Sequence, residues 1–175
     1  VSERGYSRQD QDDFAIQSYS KALDANKKNI FKKEIVPISL IDRKSNNILI
    51  DEDEEPYKAK LEKISRLKAA FTKEGTITAA NASKLNDGAS VLLITNELNA
   101  EKLGIKPLAK IIAHASVAHE PEWFTSAPGK AITKVLEKAK MSIEKIDLWE
   151  INEAFAAVTM AAMDDFKIPS ENVNI

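Results

Sequence analysis

The sequence predicts an α/β fold preceded by a loop-rich α+β excursion on its N-terminal side, and three observations carry that prediction. The second half alternates apolar runs of strand length with segments of helical periodicity, the pattern of a layered α/β core. The first half holds one long amphipathic stretch and then breaks into short β-branched runs and charged loops. Composition suits a packed domain: of 175 residues, 43% are hydrophobic and 30% charged, with Lys+Arg 25 against Asp+Glu 27. A net charge of -2 argues against the cationic surface that duplex DNA demands, so nucleic acid is not an expected partner. No apolar run approaches the ~20 residues of a membrane-spanning helix, so a membrane is not expected either. The sequence contains no cysteine. These residues therefore carry no disulfide, no cysteine-ligated metal and no thiol nucleophile.

Each element has its own signal. Ser7 followed by Asp10 has a capping-box layout, and Phe14, Ala15, Tyr19, Ala22 and Leu23 recur at helical spacing, which predicts a helix over 8–26. Glu34 to Leu40 and Asn47 to Ile50 read as two strands separated by a turn-forming Asp-Arg-Lys-Ser-Asn-Asn run; Pro37 makes the first an edge or irregular strand. Residues 51–75 are charged with scattered apolar anchors, a surface excursion with at most short helices. Ala89 to Thr95 reads as a strand. A helix from Asn96 to Leu103 stops at Gly104, with Pro107 beyond. Ala109 to Val117 reads as a buried strand, Ala131 to Ala139 as a helix, Ile146 to Ile151 as a strand, and Ala154 to Phe166 as a helix ended by Pro169. Val1 is not a Met, no signal-like layout follows it, and Val173-Asn174-Ile175 stops within an apolar stretch, so an internal fragment is expected.

Four places could carry chemistry. His114 and His119 lie five apart around a strand end, and a packed or surface role competes with a metal or base role. The run Asp51-Glu52-Asp53-Glu54-Glu55 has Pro56 where a calcium loop needs Gly, which favours a solvated charge run. Lys73 to Ala89 gathers Gly, Ala, Ser and Asn before an apolar strand, suited to close approach of backbone to a ligand, or else an ordinary polar loop. Trp149 to Ala156 joins a strand end to a helix start, where open α/β sheets bind ligands. There Asn152 could orient a water or stabilise an oxyanion, or it could cap the helix.

Taken together, the last two stretches carry a resemblance. Asn81-Ala82-Ser83-x-Leu85-Asn86-Asp87-Gly88-Ala89 and Asn152-Glu153-Ala154-Phe155-Ala156 resemble two signature segments of the thiolase family in their order and separation. Tyr6-Ser7-Arg8-Gln9-x-Gln11-Asp12-x-Phe14-Ala15 resembles the family's preceding helix, so the likeness runs through essentially the whole chain. Ser18-Tyr19, Asp53-Glu54-Glu55, and Phe124 after Glu120-Pro121 resemble the potassium-dependent mitochondrial acetoacetyl-CoA thiolases of that family.

The resemblance implies an incomplete thiolase-like α/β/α fold: residues 1–87 a loop domain that binds coenzyme A, 88–104 the last part of the N-terminal core, and 105–175 the first part of the C-terminal domain. It implies acetyl-CoA C-acetyltransferase activity in the complete enzyme, with acetyl-CoA and acetoacetyl-CoA as substrates, a homotetramer, a mitochondrial location with the cytoplasm as the alternative, and a place in lipid and ketone-body metabolism. Ser83 matches the residue that hydrogen-bonds the pantetheine arm. Lys63 falls where the subgroup contacts the CoA nucleotide, Lys58, Ala59 and Lys60 in a neighbouring CoA-contacting segment, and Ala154 and Phe155 among the CoA-contacting residues of the second motif. Asn152 matches the Asn that holds a catalytic water in an oxyanion hole, and Phe124 the apolar wall of the acyl pocket. Tyr19 and the backbone of Ala79, Ala80 and Ala82 fall where the subgroup holds a potassium ion, which suits an oxygen-only donor set. The family's two catalytic cysteines and its Gly-His-Pro histidine have no counterpart in these residues, so this chain alone is expected to be inactive. The alternative is a non-catalytic thiolase-like protein that binds CoA or lipid.

Overall fold

Ser7 starts the first helix by the predicted mechanism. The Asp10 N–H donates to Ser7 Oγ at 3.1 Å and the Ser7 N–H donates to Asp10 Oδ2 at 2.8 Å, so each residue satisfies an orphan donor of the other. In this computed structural model, which describes residues 1–175, the helix α1 runs Arg8–Lys27. The chain divides into two units: Val1–Ser83 together with Leu148–Ile175, and Lys84–Asp147 between them.

In the first unit, α1 packs against the later helix α5, Ala156–Phe166. The buried surface of α5 consists mainly of small residues, Ala156, Ala157, Val158, Thr159, Ala161 and Ala162. Lys167 ends it in the left-handed region at φ 53, with Ile168 buried just beyond and Pro169 blocking continuation. Arg4 reaches α5 through a two-pronged ion pair with Asp165 at 2.7 and 2.8 Å, and the Tyr6 hydroxyl donates to Asp164 at 2.5 Å.

The hairpin is shorter than predicted. Strands β1, Ile38–Ile41, and β2, Asn47–Ile50, pair antiparallel with Ile38 opposite Ile50 and Leu40 opposite Ile48. Glu34 and Ile35 are not strand, because their N–H groups donate to Phe31 O in a turn, and β1 begins only after Pro37. Asp42 builds the loop: its Oδ1 accepts from the Lys44 and Asn46 N–H groups at 2.8 Å each, and its Oδ2 accepts from Asn46 Nδ2 at 3.0 Å. The charged excursion holds the one-turn helix α2, Glu55–Lys58, and a 3-10 segment, Leu61–Arg66, whose Ile64 is buried against the unit.

The second unit contains α3, Glu97–Lys102, and α4, Ala127–Ala139. Asn96 caps α3 through its side chain, which accepts from the Asn99 N–H at 2.9 Å, and Gly104 ends the turn at φ +64. Helix α4 starts four residues before the predicted Ala131, with Pro128 in its first turn, where no N–H is required. The predicted strands over 89–95 and 109–117 form no ladder, since the hairpin β1-β2 is the whole of the sheet structure. Val91 and Leu92 are 94% and 82% exposed. Apolar composition predicts burial, but a strand forms only where another edge takes up its N–H and C=O groups, and none in this unit does. Lysines of α4 serve two of the carbonyls instead: Lys134 Nζ donates to Ser116 O at 2.9 Å and Lys138 Nζ to His114 O at 2.8 Å. No helix is long and apolar enough to cross a membrane.

Back in the first unit, the predicted strand ending at Ile151 is reduced to a parallel bridge between Trp149 and Val173, with α5 as the crossover between them. The Trp149 N–H donates to Asn172 O and the Asn174 N–H to Trp149 O, both at 2.8 Å.

Candidate functional site

The small-residue loop is held from beneath by α1. Asn81 is 3% exposed; its Oδ1 accepts from the Thr78 N–H at 2.7 Å, while its Nδ2 donates to Thr76 O and to Asp12 Oδ1, both at 3.1 Å. Asp12 is buried as well, and its second oxygen accepts from Arg8 Nε at 2.7 Å. Arg8 continues to Ile64 O at 2.9 Å, and Gln11 Nε2 donates to Thr76 Oγ1 at 2.9 Å. The buried carboxylate is therefore paired and hydrogen-bonded, the condition under which burying a charge is tolerable. At the loop entrance a Cβ on Gly75 would come within 2.7 Å of Thr72 Oγ1 and 3.0 Å of Thr72 O, so a larger residue there would force Thr72 to shift.

The second stretch leaves the Trp149–Val173 bridge through a side chain that imitates backbone. Asn174 Oδ1 accepts from the Ile151 N–H at 2.8 Å, and Asn174 Nδ2 donates to Ile151 O at 2.9 Å and to Glu153 Oε1 at 2.7 Å. Ser18 Oγ of α1 donates to the other Glu153 oxygen at 2.6 Å. Asn152 lies exposed between these two anchored residues. It does not cap α5, whose N-cap is Phe155. The capping alternative for Asn152 is thereby removed.

The structure brings the two stretches together. The Ser83 N–H donates to Ala154 O at 3.0 Å and the Ala156 N–H to Asn81 O at 2.9 Å, flanking an antiparallel bridge between Ala82 and Phe155. The Phe71 ring meets Phe155 edge-on, with centroids 6.1 Å apart and planes at 76°. Ser83, Ala154 and Phe155 thus share one edge. Tyr19 lies half-buried on α1, and the carbonyls of Ala79, Ala80 and Ala82 accept no backbone hydrogen bond.

The lysine-rich segment sits in the charged excursion. Lys58 closes α2 and pairs with Glu54 at 2.7 Å and Glu55 at 3.3 Å, hydrogen bonds that hold its ammonium pKa above the usual range. Ala59 and Lys60 link α2 to the 3-10 segment that carries Lys63. Phe124, about half exposed, lies in the second unit on the 3-10 segment Pro121–Ser126. His114 is exposed, and His119 Nδ1 accepts from the Glu120 N–H at 3.0 Å beside Lys130 Nζ at 3.2 Å. No group of three His, Cys, Asp or Glu residues could hold a metal ion. Sequence reasoning missed Asn174 and the role of Asp12. The one signal for Asn174 is that Asn tolerates the left-handed backbone it adopts at φ 47.

The two loops meet just beyond a parallel bridge whose two sides are joined by a helix, and in open α/β proteins the end of a strand before a helix is where ligand-binding groups gather. Family models narrow the class: the thiolase N-terminal domain matches residues 1–98 and the thiolase C-terminal domain residues 105–175. The chain belongs to the thiolase family. A probable acetyl-CoA acetyltransferase of Dictyostelium discoideum is 45% identical over 168 residues, covering 96% of this chain and 41% of that protein. The acetyl-CoA acetyltransferase of Yarrowia lipolytica is 43% identical, covering 98% of this chain and 43% of its own length. The acetyl-CoA acetyltransferase structure from Bacillus anthracis superposes with a TM-score of 0.94 at 39% identity, over 99% of this chain and 44% of that one. The Acat5 thiolase of Ascaris suum in complex with coenzyme A gives a TM-score of 0.87 at 36% identity, over 99% of this chain and 44% of that one. The fold is therefore the thiolase α/β fold in incomplete form, and the chain spans less than half the length of these relatives.

Proposed function

We propose that these residues form the CoA-facing part of an acetyl-CoA C-acetyltransferase. In the complete enzyme a thiol supplied from outside these residues takes the acetyl group from acetyl-CoA and releases CoA. A second acetyl-CoA then gives an α-proton to a base that also lies outside these residues, and its carbanion attacks the acyl-enzyme carbonyl; acetoacetyl-CoA forms as the enzyme thiolate leaves and regains a proton. The reverse direction cleaves acetoacetyl-CoA with CoA. Asn152 holds a water against the thioester oxygen as negative charge develops there. Ser83, Ala154 and Phe155 seat the pantetheine arm, while Lys58, Ala59, Lys60 and Lys63 meet the nucleotide end, where ammonium groups suit phosphate. Phe124 lines the acyl pocket.

The observation that carries this reading is the bridge between Ala82 and Phe155, flanked by the Ser83–Ala154 and Asn81–Ala156 hydrogen bonds, which makes one continuous edge of two segments far apart in sequence. The family names borne by the relatives support the reaction class. Titrating CoA into the labelled chain tests it: the amide resonances of Ser83, Ala154 and Phe155 are expected to move, and a saturating titration that leaves them unmoved sinks the assignment. The purified chain, having no thiol, is expected to turn over no acetoacetyl-CoA. Measured cleavage would overturn that part.

The potassium-dependent subgroup is also proposed. The donor set fits: three alanine carbonyls and the Tyr19 phenol are hard oxygen ligands, and the carbonyls are not engaged by backbone N–H groups. A potassium ion there would brace the loop that carries Ser83. A homotetrameric assembly is proposed on the same family grounds, with the oligomer mass measured in solution as its check.

A further inference from the structure

We infer that Asn174 is a positioning residue for Asn152, with Ser18 as its auxiliary; this rests on the proposal that Asn152 holds the water at the thioester oxygen. The argument is geometric. Asn152 follows the last residue of a strand-like edge, where the backbone ladder with 172–174 has run out. At that point Asn174 turns into the left-handed region, φ 47, and offers its side-chain amide in place of a further peptide. Its oxygen takes the Ile151 N–H at 2.8 Å and its nitrogen returns a bond to Ile151 O at 2.9 Å. The same nitrogen reaches past Asn152 to Glu153 Oε1 at 2.7 Å. One side chain therefore fixes the residue before Asn152 and the residue after it.

Glu153 is held from the other direction by Ser18 Oγ at 2.6 Å, so both carboxylate oxygens are engaged, one by Asn174 and one by α1. Bonds to an ionised acceptor are stronger than neutral ones, and two of them on one carboxylate set its orientation. Lys21, one turn beyond Ser18, anchors the partner segment through Val173 O at 2.8 Å. Asn152 itself remains exposed between two fixed neighbours, the arrangement expected of a group that must meet a ligand without reorganising.

The test is the side-chain amide resonance of Asn152 in the labelled chain, compared between saturating acetyl-CoA and saturating CoA, which differ by the acetyl group and therefore by the thioester carbonyl. In the unsubstituted chain a difference between the two ligands is expected at Asn152. Asn174→Ala is expected to abolish that difference and to speed exchange of the Ile151 N–H about tenfold, while the Thr78 and Asn81 amides stay protected. Ser18→Ala, a milder change that keeps the question open should Asn174→Ala fail to fold, is expected to diminish the difference without altering Ile151 exchange. A folded Asn174→Ala chain with the Asn152 difference intact would overturn the inference. So would loss of protection at Thr78 and Asn81 in equal measure, which would make Asn174 a general support. If the unsubstituted chain shows no difference between the two ligands, the acyl-transfer reading fails, and the positioning claim is then decided by Ile151 exchange alone: about tenfold faster in Asn174→Ala upholds it, unchanged overturns it.

Discussion

The two units break the rule of apolar inside and polar outside in opposite ways. In the unit built from both ends of the chain, side chains that are polar or even charged lie buried: Gln11, Asp12, Thr78, Asn81 and Thr159 are at most 3% exposed. In the middle unit, side chains that are strongly apolar lie open, with Val91, Leu92, Leu93, Ile94 and Leu108 each more than two-thirds exposed. Partners decide the matter in both cases. Asp12 can be buried because Arg8 and Asn81 meet it, whereas Leu92 stays open because no strand edge lies alongside. Hydrophobicity by itself thus predicts neither outcome; availability of a neighbour does.

The contrast is broken most directly by amide exchange. Residues 89–95 and 108–112 are expected to exchange close to free-chain rates, and the interior turns of α1 and the Thr78 amide orders of magnitude more slowly. Comparable protection in both regions would mean that the middle unit has found strand partners. Next in size, Asn81→Leu removes the bonds to Asp12, Thr76 and Thr78 at once and leaves a buried carboxylate underserved. A loss of about 3 kcal/mol is expected in denaturant unfolding of the first unit, with α4 unaffected.

A smaller effect of opposite sign is expected at Thr159, whose buried Oγ1 has no hydrogen-bond partner. Thr159→Val keeps the shape and removes the unserved hydroxyl, so a gain of about 1 kcal/mol in the same unfolding measurement is expected. The smallest effect concerns Asp10, whose carboxyl is held below its ordinary value by hydrogen bonds from Ser7, the side chain first and then the backbone. Because the folded value is the lower one, the stabilisation is complete above the ordinary carboxylate range and is lost as pH falls through the lowered value. Thermal unfolding against pH should show this acid limb weakened in Asp10→Asn.

What could be read in advance follows the range of the physics. Signals that act over a few residues survived intact: the Ser7–Asp10 box, the Gly104 stop and the turn between β1 and β2 all stand where the spacing put them. Strands could not be read so well, because a run such as Ala89 to Thr95 states only that it suits a sheet, while the sheet itself must come from elsewhere. At the site, the two motifs identified the loops that meet, Ser83 with Ala154 and Ala82 with Phe155. Their supports were hidden, since Asp12 looks like any helix-surface acid and Asn174 like any loop residue until the fold sets them against Asn81 and Glu153.

The first unit is discontinuous, and that has a consequence in time. The Arg4–Asp165 pair joins positions 161 residues apart and α1 packs on α5 across a similar span, with the whole of 84–147 lying between the two pieces of one core. On a growing chain, α1 and the Thr76–Ser83 loop emerge long before Ala154 and Phe155 exist to receive them. Closing so long a loop must precede any reward from its contacts, so this core assembles late and slowly. Until then the buried pairings of Asp12 and Asn81 form against an incomplete unit, so the interval before α5 emerges is one in which the chain needs shielding.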